Sequence, residues 1–336
     1  MNHYLPVTVD DNSEYHRKNI LCLPTIKPDT LAQSWKDSEL LMTAMGGYGL
    51  DENLIVKILT HRNSKQREEI KKECMERYKT CLIDLSIKTL SDPLQYLALC
   101  LLHTGPRADA YIINQAFQDS GTGVSRLIHI LCTRSSDVSR FIIEQISKIK
   151  ESYEKMFKMH LADKINLDTS GKFRNVLLYL INNPRMVAPA NHKVASEQAF
   201  MVYSKSYVGL SCSEELIPIF CQSSYDQIKA IDDSFNKSIE RHLEKYSGTY
   251  EATLRTIIQF STNPTAYYAS YLKSSISNSL IRDVICMIAT RFEIDLASIL
   301  NEYCHLYISK PEIDIRNNLN LPAPIISAVQ MLFGLE

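Results

Sequence analysis

The stretch Ala44, Met45, Gly46, Gly47, Tyr48, Gly49, Leu50, Asp51, Glu52 decides the fold, together with Ile55, Ile58, Leu59, Thr60, His61, Arg62, Asn63, Ser64, Lys65, Gln66 and Arg67 that follow it. A glycine-rich loop between two helical patterns turns backbone carbonyls outward, because glycine tolerates positive φ and has no side chain to cover them. Such a loop suits a hard cation.

Working outward, a second copy lies between Phe117 and Arg134. There Gly121, Thr122 and Gly123 precede Val124, Leu127, Ile128 and Leu131, an i, i+3, i+4, i+7 stripe that ends in Thr133, Arg134 and Ser135. Arg134 follows Arg62 by 72 residues. Two fainter copies complete the series: Gly209, Leu210 and Ser211 lead into Leu216 to Phe220, and Ser279 leads into Leu280, Val284, Ile285, Ile288, Thr290 and Arg291. The chain reads as a fourfold repeat of about 70 residues, longer than common solenoid units of roughly 20 to 50, so each unit holds several helices.

These residues carry a family resemblance. The first segment resembles the annexin repeat signature, Met-Lys-Gly-x-Gly-Thr-Asp-Glu followed by an apolar helix, Arg-Ser and Gln-Arg. Arg291, Glu293, Ile294, Asp295 and Leu296 resemble the Arg-Ser-Glu-Ile-Asp-Leu of the fourth annexin repeat. The similarity covers about residues 35 to 336, and the losses of consensus make the chain most similar to the protozoan annexins called alpha-giardins. The resemblance implies an all-α core of four five-helix repeats forming a curved disc, with the loops between the first and second and between the fourth and fifth helices on one convex face. The expected segments are a tail over 1–33 and repeats over 34–104, 105–184, 185–262 and 263–336.

Composition agrees without the family. The chain has 336 residues, 45% apolar and 22% charged, and its periodic segments read at 3.6 residues per turn, which gives an all-α class. Nine cysteines with no Cys-x-x-Cys pair argue against a disulfide framework or zinc ribbon and for small buried residues in a reducing cytoplasm. Asp10, Asp11, Glu14, His16 and Arg17 stand where a signal peptide needs an apolar block, so the expectation is a protein made and kept inside the cell. No stretch reaches the roughly 20 apolar residues of a membrane span; Leu319 to Leu335 is broken by Pro322 and Pro324. A formal charge of −1 offers neither a polybasic lipid-binding face nor a nucleic-acid footprint.

The first repeat reads directly as five helices: about Ser38 to Met45; from Asp51 with Leu54, Ile55, Ile58 and Leu59 inward; about Ser64 to Tyr78 with Ile70 and Cys74 inward; one carrying Leu82, Leu85 and Leu90; and one with Asp92 as N-cap and Pro93 at its first position. In the second, Arg134 to Asp168 spans 34 residues, more than the family's interval by about two helical turns. Val138, Ile142, Gln145, Ile149, Tyr153 and Met156 keep a helical rhythm there, so a lengthened, projecting helix is expected. In the third, Pro218 falls inside a helical pattern and predicts a kink.

Calcium takes six to eight oxygens, of which a tight loop supplies only about three, so a distant carboxylate and water or a ligand phosphate complete the shell. In repeat 2 the resemblance places the carbonyls on Phe117, Asp119 and Gly121, with Asp119 replacing a glycine in left-handed conformation, and the carboxylate on Asp168. The alternative for Asp168 is an N-cap. In repeat 1 it places carbonyls on Met45, Gly47 and Gly49, but Thr89 stands where the family has an acid, for which Asp92 or water would substitute. Leu50 and Glu52 match a minor site; the alternative is that Asp51 and Glu52 only cap their helix. Repeats 3 and 4 look disabled, with Lys245 and Asn318 at the acid positions and a serine-rich loop in the latter, although Glu244 lies beside Lys245.

No His-Glu-x-x-His, Gly-x-Ser-x-Gly or Gly-x-x-x-x-Gly-Lys motif occurs, so no enzyme is expected. The resemblance implies calcium-dependent binding of anionic phospholipid on the cytoplasmic membrane face with linkage to cytoskeletal proteins. The rival reading is a calcium-independent structural protein on microtubules or other cytoskeletal elements.

Overall fold

The computed structural model describes residues 22–335 except 47–48, 120, 135–144, 207–213, 236–238, 240–242 and 244–247. Nineteen helices and no strand occur among the described residues. They are α1 (Ser34–Gly46), α2 (Glu52–Thr60), α3 (Ser64–Tyr78), α4 (Leu82–Thr89), α5 (Leu94–Leu102), α6 (Pro106–Gln118), α7 (Val124–Thr133), α8 (Gln145–Phe157), α9 (Leu161–Asp168) and α10 (Gly171–Asn182). The series continues with α11 (His192–Ser206), α12 (Leu216–Gln222), α13 (Tyr225–Ser234), α14 (Thr249–Thr262), α15 (Pro264–Ser277), α16 (Ile281–Arg291), α17 (Leu296–Tyr307), α18 (Pro311–Asn318) and α19 (Ala323–Leu332). Between α13 and α14, Ile239 and Leu243 are helical and buried.

Two compact units result, one from residues 1–102 with 269–336 and one from 103–268. In the first, α2 packs on α19 and α5 on α16. In the second, α7 packs on α14 and α10 on α12. Each unit is thus built by the same exchange, the second helix of one repeat lying against the fifth helix of the other. Helices apolar on every side belong at such a contact, and α5 buries Leu94 and the whole run from Tyr96 to Leu102.

Polar side chains lock the helix ends. Asn63 Oδ1 accepts from Gln66 N at 2.9 Å and Gln66 Oε1 accepts from Asn63 N at 3.0 Å, a reciprocal cap that starts α3. Arg62 Nε and Nη2 grip buried Asp37 at 2.6 and 2.9 Å. Arg134 Nε donates to both carboxylate oxygens of buried Asp109, at 3.1 and 3.2 Å, again 25 residues back along the chain. Arg67 reaches Leu101 O at 2.7 Å, Leu59 O at 3.4 Å, Arg62 O and Glu293 Oε1 at 2.6 Å.

The start of the described chain is packed, not free. Thr25 N donates to Phe292 O at 3.0 Å, Thr25 Oγ1 to Leu332 O at 2.5 Å, and Ala297 N to Leu23 O at 2.9 Å.

Two local expectations are corrected. Pro218 makes no kink: α12 begins at Leu216, so the proline sits in the first turn, where its missing N–H has no partner to lose. Asp92 does not cap α5, which starts at Leu94; its carboxylate is held by Arg282, whose guanidinium also lies 5.2 Å from the Tyr96 ring centre. Of the lengthened helix expected over 138–157, the described part is α8 from Gln145 onward, with Ile149 and Tyr153 buried; Val138 and Ile142, where the extension was expected, lie outside the described residues.

Equivalent corners share one backbone device. Lys79, Lys158 and Ile308, which follow α3, α8 and α17, all adopt the left-handed conformation with φ of 53, 55 and 50°. That conformation is costly for a β-branched residue, and Ile308 is 94% exposed, so no burial offsets the strain. Ile308→Asn is expected to stabilise the chain by about 1 kcal/mol. A urea midpoint that fails to rise would show that this turn is unstrained.

Candidate functional site

The site is clearest in the second unit, where two chain corners meet. Phe117 lies in the last turn of α6, whose carbonyls have no intrahelical N–H to accept from. The loop then turns at Gly121, φ +80°. It also passes so close to α6 that a Cβ on Gly123 would lie 1.9 Å from Ala116 O. Asp119 departs from expectation: its φ is −83°, because the left-handed residue of the loop is Gly121. Its carboxylate is taken by Arg126, whose side chain is almost wholly buried, and its carbonyl accepts from Gly123 N at 3.4 Å.

Asp168 is the last residue of α9. It is not the N-cap of α10, a position held by Ser170. Lys164 Nζ lies 2.8 Å from Asp168 Oδ2 and 5.7 Å from the centre of the Phe117 ring. One ammonium therefore touches both the Phe117 side chain at the end of α6 and the carboxylate at the end of α9, so the two helix ends lie close together. Tyr153 stands behind them, its hydroxyl donating to Asn114 Oδ1 of α6 at 3.0 Å. Burial, and then the negative charge of Asp168, push its phenol up to about 12. The sequence reading overlooked Lys164, although an i, i+4 lysine–aspartate pair on one helix face was there to be read.

The same register can be followed through the other repeats. α4, α9 and α18 each contain 8 residues and end on Thr89, Asp168 and Asn318. Thr89 Oγ1 bonds Leu85 O at 2.9 Å and Asn318 Nδ2 bonds Asp314 O at 2.8 Å, so both side chains turn back on their own helices. Asp168 alone of the three is an acid.

Around repeat 1, Met45 is buried in the last turn of α1, and Gly47 lies outside the described residues. Gly49, Leu50, Asp51, Glu52 and Asn53 line an open cleft with Pro324 of α19. Asp51 caps α2, accepting from Leu54 N at 3.0 Å, and its own N–H donates to Ala44 O at 3.0 Å. Glu52 is the first residue of α2, beside the positive end of the helix. Asp92, the acid offered as a replacement, has its carboxylate paired with Arg282.

The repeat 4 loop is closed on itself. Asn278 N, Leu280 N and Ser279 N donate to Ser274 O, Ser275 O and Ile276 O at 3.0, 2.8 and 3.1 Å, so the carbonyls leaving α15 are already accepting. Gly209, Glu244 and Lys245 of repeat 3 lie outside the described residues.

Among the described residues no three His, Cys, Asp or Glu side chains gather as a metal site. The donor set at repeat 2 is of another kind: carbonyls from a helix end and a glycine turn, with one carboxylate. That set fits a hard, oxygen-seeking cation with coordination positions left over. No described helix is long and apolar enough to cross a membrane.

Comparison with known proteins places this architecture. The annexin family model matches residues 36–95 and 108–180. Human annexin A7 is 29% identical over 313 residues, covering 90% of this chain; the chain spans 63% of the length of annexin A7. The structure of annexin III superposes with a TM-score of 0.81 at 25% identity, covering 93% of this chain and 97% of that one. Calcium-bound alpha-14 giardin shares the fold, with a TM-score of 0.72 at 15% identity and coverage of 90% and 99%. The repeated helix plan, the paired Arg62–Asp37 and Arg134–Asp109 locks and these likenesses make the chain similar to the annexin family in sequence and in fold.

Proposed function

We propose that this chain binds anionic phospholipid in a calcium-dependent manner at a cytoplasmic membrane face, through repeat 2 first and repeat 1 second. The observation that carries the reading is the meeting of Phe117 and Asp168 across Lys164 beside the Gly121 turn. Phe117, Asp119 and Gly121 would offer carbonyls and Asp168 a carboxylate. Bound there, calcium would supply the positive charge that a chain of net charge −1 lacks and would leave positions for a lipid phosphate. The relatives support the reading, since calcium-bound structures of alpha-14 giardin and annexin (Sm)1 share the fold.

A second reading is favoured by the closed loop of repeat 4 and by Thr89 and Asn318 at acid positions: a repeat protein used mainly as a calcium-independent cytoskeletal scaffold. Sedimentation with phosphatidylserine vesicles separates the two. The expected result is pelleting at about millimolar calcium that chelator reverses, as a half-open oxygen site requires. Absence of calcium-dependent pelleting, with co-sedimentation on microtubules in chelator, would favour the scaffold instead.

A further inference from the structure

We propose that Lys164 is a built-in competitor of the repeat 2 cation, an ammonium that occupies the carboxylate of Asp168 until calcium displaces it and so sets the calcium threshold of the site. The inference rests on the calcium reading above. Lys164 is anchored twice, by Asp168 Oδ2 at 2.8 Å and by the Phe117 ring at 5.7 Å. These anchors are the residues whose carboxylate and carbonyl the cation would use. The ammonium thus already touches a side chain from each of the two corners.

Its placement has two consequences for charge. Without calcium, Asp168 is neutralised inside one helix by an i, i+4 partner, and the corner holds no net negative charge from this pair. When a dication arrives, Asp168 must exchange one cation for another, and the lysine must leave or remain as a like charge close by. Lysine is suited to leaving, since its ammonium sits on a flexible four-carbon stem. The side chains of Lys164 and Asp168 are only 25% and 29% exposed, so solvent screens the repulsion less than at the open surface.

Calorimetric calcium titration of the full chain tests this. Lys164→Gln and Lys164→Met are each expected to tighten calcium binding by about fivefold, between the modest effect of an exposed pair and full removal of a nearby like charge. Lys155→Gln is the control for simple loss of a lysine, because Lys155 pairs with Glu151 at 3.8 Å on the exposed face of α8 and should leave affinity unchanged. Calcium bound by the wild type with the same affinity in both Lys164 variants, or equal tightening in Lys155→Gln, would overturn the role of Lys164 and leave the calcium reading standing. No calcium binding in any variant would overturn both.

Discussion

Replacing Arg67 by methionine is expected to destabilise the first unit by about 3 to 5 kcal/mol, the range for breaking a buried ion pair by removing one partner. Arg67 is 3% exposed, and its guanidinium joins the carbonyls of Leu59, Arg62 and Leu101 to the carboxylate of Glu293. Burial lowers its pKa from the ordinary value, with Glu293 opposing that shift. Methionine fills the volume but leaves three carbonyls short of a donor and Glu293 short of its countercharge. Lysine would rescue little, because an ammonium lacks the planar fork that serves several acceptors at once. Trp35, the single tryptophan of the sequence, lies in α1 of the same unit, so urea unfolding followed by its fluorescence reads the affected part. A loss below about 1 kcal/mol, the level of an exposed pair, would mean that the four partners do not act as a clamp.

The repeat 3 counterpart shows where sequence reading reaches its limit. In repeat 1, Arg67 Nη1 bonds the carbonyls of Leu59 and Arg62 at the end of α2. The equivalent carbonyls at the end of α12 belong to Phe220 and Ser223, and both are bonded by Arg185 Nη1, at 2.9 and 2.6 Å. Arg185 comes from before α11, and its guanidinium lies 4.4 Å from the Tyr225 ring centre. A guanidinium has moved in the sequence while keeping its acceptors in space. No periodicity could show this, because the substitute occupies a different register. What was legible rests on local rules: the apolar stripes of α2 and α7 and the 72-residue step from Arg62 to Arg134. What was misread depended on which neighbour claims a side chain, as when Arg282 takes Asp92 and Arg126 takes Asp119.

Asp168→Ala is expected to weaken calcium binding by at least about tenfold, or roughly 1.4 kcal/mol, and Glu52→Ala by no more than about twofold. Asp168 is the acid at the end of its eight-residue helix, where Thr89 and Asn318 bring none. Its removal acts twice, since it takes away the carboxylate and leaves the Lys164 ammonium without that partner beside the Phe117 ring. Glu52 stands instead at the start of α2, where Asp51 already caps the helix and the positive helix end holds part of its charge. Repeat 1 supplies the rival outcome, because its glycine-rich loop could hold calcium through carbonyls and water alone. Calorimetric titration of the two variants decides between the repeats. Wild-type affinity in Asp168→Ala, with loss in Glu52→Ala, would move the principal site to the cleft lined by Gly49, Leu50 and Glu52.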